Sequence, residues 1–232
     1  MKTIRIAHLY YDLMNLYGES GNILALKKGI NEQDQRCEIN YLSIGDKIDF
    51  NKYDIFYMGC GTEDNQEIVR KDILKYKKDI EKVIDTKLFI MTGNSYELFG
   101  KSINDKECLG LYNFSSKTVD NRIVGEQVCK TYVIPETVIG FQNRGSINNI
   151  EDNHFFEVIS GNEDNSKTKY EGIHINNFYG TYTLGPLLIR NPYLKNKMLK
   201  DLFEVLGLEY TEVSNTTDIN AYEEYKKNFK ID

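Results

Sequence analysis

Apolar and polar positions alternate along residues 3–9, TIRIAHL, which predicts a first strand. Loop signals follow: Gly18 and Gly21 interrupt any helix, and Asn22 is suited to cap the next one. Over 23–35, Ile23, Leu24, Leu26 and Ile30 fall on one helical face, with Lys27, Lys28 and Glu32 opposite. Strands are predicted at about Cys37–Leu42 and at Tyr53–Met58. A helix over roughly 64–84 directs Ile68, Ile73, Ile80, Val83 and Ile84 inward. A fourth apolar run, 87–92, leads into Gly93-Asn94-Ser95-Tyr96-Glu97, after which Leu98 and Phe99 open what reads as a short helix.

The first hundred residues therefore read β-α-β-β-α-β-α, a right-handed, mostly parallel twisted sheet with helices on both faces. The strands ending at Cys60 and Gly93 are expected to be neighbours. From about 109 the pattern changes. Short segments rich in Val, Ile, Tyr and Thr, at 111–118, 122–133, 137–141, 154–159, 168–175 and 178–183, predict added antiparallel strands. Residues 160–167 read as an exposed hairpin loop. Pro192 opens an amphipathic helix over 193–206 that Gly207 stops, and a polar, partly helical tail covers 216–232. With no internal repeat and no disordered linker, 1–232 is expected to form a single α/β domain.

Composition narrows the function. A net charge of −6, with the charges scattered, gives no basic footprint for nucleic acid. Apolar runs are too short for membrane insertion, and the N-terminus is a strand pattern and not a signal peptide. Cys37, Cys60, Cys108 and Cys129 lack CxxC spacing and read as reduced packing residues of a cytoplasmic protein. The three histidines, His8, His154 and His174, are too dispersed for a metal site, and no cofactor is called for.

Chemistry concentrates at two strand ends. The loop 10–22 belongs at the carboxyl edge of the sheet, where open α/β folds bind ligands. Gly59-Cys60-Gly61 can present backbone N–H groups. The strand–turn at 93 has the geometry of a nucleophile elbow, in which a side chain is held out over the sheet.

Those stretches carry a resemblance. The residues Asn15–Asn22, Asp54–Gly61, Gly93–Gly100, Ser116–Arg122, Ile139–Gly145, Glu171–His174 and Gly180–Leu188 occur in the order and spacing of a class I glutamine amidotransferase domain of the cobyric acid synthase type. The likeness is greatest to the glutaminase subunits of lipid II isoglutaminyl synthases, and it spans nearly the whole chain. It implies a flavodoxin-like fold, a role in peptidoglycan amidation, a Mur-ligase-like synthetase as partner, and glutamine or a related amino acid as ligand.

Active members of that family carry Cys-Gly-Gly-Tyr-Gln-x-x-Gly at the elbow and Gly-Thr-Tyr-x-His-Gly-Pro near the end of the sheet. The thiolate attacks the amide, and the imidazole activates the thiol and protonates the leaving ammonia. Here the nucleophile position is Gly93 and the base position is Leu184, so the dyad is absent and a pseudoenzyme is expected. The elbow glutamine is Glu97, and the family's Asn-His-Gly is Asn143-Arg144-Gly145. The resemblance implies Gly61 as oxyanion-loop donor, Tyr96 as a retained site residue and Arg122 as carboxylate clamp; a surface salt bridge is the competing role for Arg122. Cys60 and Ser95 are the candidate replacement nucleophiles, with packing and helix capping as their alternatives. His174 is expected to be structural, and Arg144 is expected to pair with Glu97.

Overall fold

The structure, a computed structural model, describes residues 2–214 and 216–229; the end of the 216–232 tail lies outside the described residues. Five parallel strands form the frame: β1 (Thr3–Leu9), β2 (Arg36–Leu42), β3 (Ile55–Met58), β4 (Leu88–Thr92) and β11 (Phe178–Thr181), in the order β2-β1-β3-β4-β11. The middle strands are buried on both faces. Ile55 and Tyr57 of β3 and Leu88 and Ile90 of β4 pack under helices α1 (Ser20–Asn31) and α5 (Pro192–Val205). Phe56, Met58, Phe89 and Met91 turn to the opposite face, under α2 (Glu63–Ile73) and α3 (Lys77–Val83). Burial on both sides is why these strands read as unbroken apolar runs.

Beyond β11 the sheet continues antiparallel through β10 (Tyr170–Ile175), β9 (His154–Ser160) and β7 (Ser115–Lys130), with β8 (Val138–Asn148) paired along β7. Two short strands, β5 (Ser102–Ile103) and β6 (Lys106–Glu107), close the far edge. Short α4 (Leu187–Arg190) precedes α5, and α6 (Thr217–Lys226) follows it. No helix among the described residues is long and apolar enough to cross a membrane.

Several expectations need correction. Leu24 and Ile68 point outward, 59% and 46% exposed, because each helix touches the sheet along a narrower stripe than its apolar residues span. The 64–84 helix is interrupted at Leu74–Tyr76 by a 3₁₀ turn. Asn22 lies inside α1 and does not cap it; the Ser20 N–H is taken by Asn15 Oδ1 at 2.9 Å. The loop 160–167 is anchored through Asp164, which is fully buried. Gly93–Phe99 is a buried 3₁₀ helix starting at Gly93 itself, and no α-helix continues it.

Candidate functional site

β3 and β4 are neighbours, with Met58 opposite Met91, so the loop 59–61 meets the turn at 93. Gly93 has φ +64°, the left-handed conformation that suits glycine. A Cβ placed there would lie 2.5 Å from Cys60 Cβ and 2.7 Å from Cys60 Sγ. The thiol of Cys60 therefore occupies the space into which an elbow side chain would project. Burial pushes this thiol up to about 12, and its hydrogen bond goes to the Gly61 carbonyl at 3.6 Å. A thiol so placed stays protonated, the opposite of an activated nucleophile.

The glycine loop 59–61 is closed in the same way. The Gly61 N–H donates to Asn94 Oδ1 at 3.0 Å, and Asn94 Nδ2 donates back to the Gly61 carbonyl at 3.0 Å. Ser95 is buried, and its hydroxyl is committed to the Met58 and Thr92 carbonyls at 2.9 and 2.8 Å, tying the start of the 3₁₀ helix to two strand ends. Leu184 is buried and held by two backbone bonds to Phe141.

The imidazoles stand elsewhere. His8 is enclosed by the rings of Tyr11, Tyr41 and Tyr57, and burial lowers it to about 4. His154 stacks on Tyr170. His174 sits opposite Tyr179, itself opposite Ile90, three residues short of the elbow; its Nδ1 is bonded to the Tyr132 hydroxyl. All four cysteines are free and buried.

Beneath the elbow lies a polar cluster built on Glu19, a residue that stands among loop signals in the sequence. Glu19 is buried at the start of α1. Its carboxylate accepts from Tyr57 Oη at 2.7 Å, from Thr92 Oγ1, and from Asn22 Nδ2 at 3.5 Å. Burial raises Glu19 to about 7, while those three donors hold it lower than it would otherwise be. Asn22 extends the cluster, donating to Tyr57 Oη at 2.7 Å and accepting the Leu188 N–H at 2.7 Å.

Beside the elbow is a cavity of about 210 Å³, with Asn94, Glu97 and Ser146 at its inner end. Glu97 is buried and accepts from Tyr182 Oη at 2.7 Å, Gln66 Nε2 at 2.8 Å and Ser146 Oγ. The expected pairing with Arg144 is not formed. The Arg144 guanidinium stacks on the Tyr182 ring, 4.3 Å from its centroid, and donates to Gln142 Oε1 and to the carbonyls of Ser146, Glu163 and Asp164. Arg122 is at the rim, half-exposed, bonded to Glu63 Oε1 at 2.8 Å and to Asn143 Oδ1. Tyr96 is fully buried; its ring packs on Tyr182 and its hydroxyl accepts from Asn148 Nδ2.

The structure thus brings Cys60, Gly61, Gly93 and Ser95 to one point, sets Glu97 in the wall of the cavity beside them, and joins Arg122 to that wall through Glu63. The sequence reading missed Asn94, Gln66 and Ser146. Asn94 was legible as the residue after the elbow, but its two-way bond to residue 61 depends on the spacing of two strands.

A parallel sheet in the order 2-1-3-4, a strand–turn elbow facing a glycine loop, and a polar cavity beside them define an α/β domain of the glutamine amidotransferase class. The chain belongs to the CobB/CobQ-like glutamine amidotransferase domain family, which matches residues 5–192. It is 28% identical over 229 residues to the GatD subunit of the glutamine-hydrolysing lipid II isoglutaminyl synthase of Staphylococcus aureus (strain N315), covering 95% of this chain and 94% of that one. It is 31% identical over 207 residues to the GatD subunit of Streptococcus pneumoniae (strain ATCC BAA-255 / R6), covering 84% and 79%. In fold it is similar to a glutamine amidotransferase of Thermotoga maritima, with a TM-score of 0.53 at 14% identity, over 99% of this chain and 86% of that one.

Proposed function

We propose that this chain is a non-hydrolysing relative of the lipid II isoglutaminyl synthase glutaminase subunits. It acts as a binding or scaffold partner of a Mur-ligase-like synthetase in peptidoglycan amidation. The observation that carries the reading is the seating of Cys60 in the space of the missing elbow side chain, 2.7 Å from where a Cβ at 93 would stand. Three features support it: Gly61 has its N–H bonded to Asn94, position 184 is a buried leucine, and the imidazoles lie on other parts of the sheet. Loss of a nucleophile and its base removes rate by several powers of ten.

The proximity of Cys60 to the elbow favours one second reading, a relocated thiol nucleophile that hydrolyses glutamine. Its raised pKa and lack of a base argue against it. Ser95 is the weaker alternative, since its hydroxyl caps two strand ends. Intact-mass analysis after incubation with a glutamine-mimicking electrophile separates the readings. The proposal expects no adduct on Cys60 or Ser95; a stoichiometric adduct lost in Cys60→Ala establishes the relocated nucleophile.

A further inference from the structure

The cavity beside the elbow is unevenly charged. Its wall carries four carboxylates, on Glu63, Asp64, Glu67 and Glu97, against two cations, Arg70 and Lys106. Glu67 is balanced by Arg70 at 2.8 Å and Lys106 at 3.5 Å, and Glu63 by Arg122 at 2.8 Å on the rim. Asp64 is exposed to solvent. Glu97, at the inner end, is buried and therefore different. Its bonded partners are an amide and two hydroxyls, all neutral. Those three donors leave one of the roughly four acceptor positions of a carboxylate open, on Oε2. Arg144 acts on Glu97 only through space: it lies over the Tyr182 ring, and its donors go to Gln142 and to backbone carbonyls.

A buried carboxylate with no cation bonded to it, facing an open cavity, is a receptor for one. We propose that the cavity binds an α-amino acid with a basic side chain, of ornithine or lysine size, with its terminal ammonium on Glu97. The rim suits the other end of such a molecule. Arg122 and Glu63 already form an exposed ion pair there, and a zwitterion can exchange with it, carboxylate to Arg122 and α-ammonium to Glu63. A glutamate side chain would set like charge against Glu97. This deepens the non-hydrolysing reading, since a ligand held in this way is bound and not cleaved.

Calorimetric titration of the full chain with L-ornithine, L-lysine, L-glutamine and L-glutamate tests it. The basic amino acids are expected to bind at least about tenfold more tightly than glutamine, with no binding of glutamate. Glu97→Gln is expected to abolish that preference. Ile103→Trp, which fills the cavity from a partly exposed edge strand, is expected to remove binding altogether and serves if Glu97→Gln does not fold. Equal affinity for glutamine, no binding of either basic amino acid to the folded chain, or retention of binding in Ile103→Trp overturns the proposal. Ammonia measured in the same samples keeps the two readings apart: release from glutamine counts against the non-hydrolysing subunit, whereas absent binding without ammonia counts only against this ligand.

Discussion

At the scale of single residues, positions 93 and 60 are coupled by volume. A side chain at 93 needs space that Cys60 fills, and it must also adopt φ +64°. Gly93→Cys is therefore expected to destabilise the chain by about 1–3 kcal/mol through overpacking. Adding Cys60→Gly, which removes both the Cβ and the Sγ that a side chain at 93 would meet, should return part of that loss, the strain at φ +64° remaining. Urea unfolding checks both variants; a Gly93→Cys protein as stable as the parent would show that Cys60 does not hold the space. Glu19 makes a second prediction. Its native value is raised to about 7, above the ordinary 4.5, so the folded state binds a proton that the unfolded state releases. The associated stability is fully present below the ordinary carboxylate range and is lost as pH rises towards about 7. The loss is on the order of 3 kcal/mol. Glu97 is raised by burial in the same direction. Glu19→Gln should flatten the fall of the unfolding midpoint between mildly acid and neutral pH, and an unchanged slope would remove Glu19 as its source. None of this was legible from residue types, because Glu19 stands among loop signals and only the fold places Tyr57 and Thr92 around it.

At the scale of elements, β8 decides how the site is built. Its buried positions alternate through Gln142, Arg144, Ser146 and Asn148, a polar face turned inward towards Glu97, Tyr96 and the 161–168 loop. Arg144 joins β8 to that loop through the carbonyls of Glu163 and Asp164. Arg144→Leu leaves the Glu163 carbonyl without its Arg144 donor and the Asp164 carbonyl with only the Asn148 N–H, and should cost about 2–4 kcal/mol, with faster amide exchange across 161–168 than elsewhere. Exchange that rises evenly over the whole chain would mean that Arg144 does not act through the loop. Residues 160–167 read as exposed because they are small and polar, and a pair of Arg144 with Glu97 is expected because both stand at substituted motif positions; neither signal shows that alternate polar positions of β8 face inward. The central strands were legible because burial on both faces leaves no polar alternation to misread. Leu24 and Ile68 misled for the complementary reason: each lies at a helical spacing that fits the inward stripe, and only the packing angle of the helix sets it outside.

At the scale of the whole molecule, the chain keeps the frame of a glutamine amidotransferase domain. The family match over 5–192 and the order β2-β1-β3-β4-β11 agree with the α/β fold that the sequence motifs implied. On the proposed reading, selection has kept the surface that meets a synthetase while the reacting side chains have gone. The chain should then co-purify with a Mur-ligase-like partner, and Gly93→Cys/Leu184→His combined with Cys60→Ala should leave that association unchanged; loss of the complex in a folded triple variant would tie the centre to the interface. The most direct measurement is ammonia release from glutamine by the purified chain with its synthetase partner present. The account predicts a rate indistinguishable from that of the Cys60→Ala variant and of the synthetase alone. Release well above both, abolished by Cys60→Ala, would contradict it.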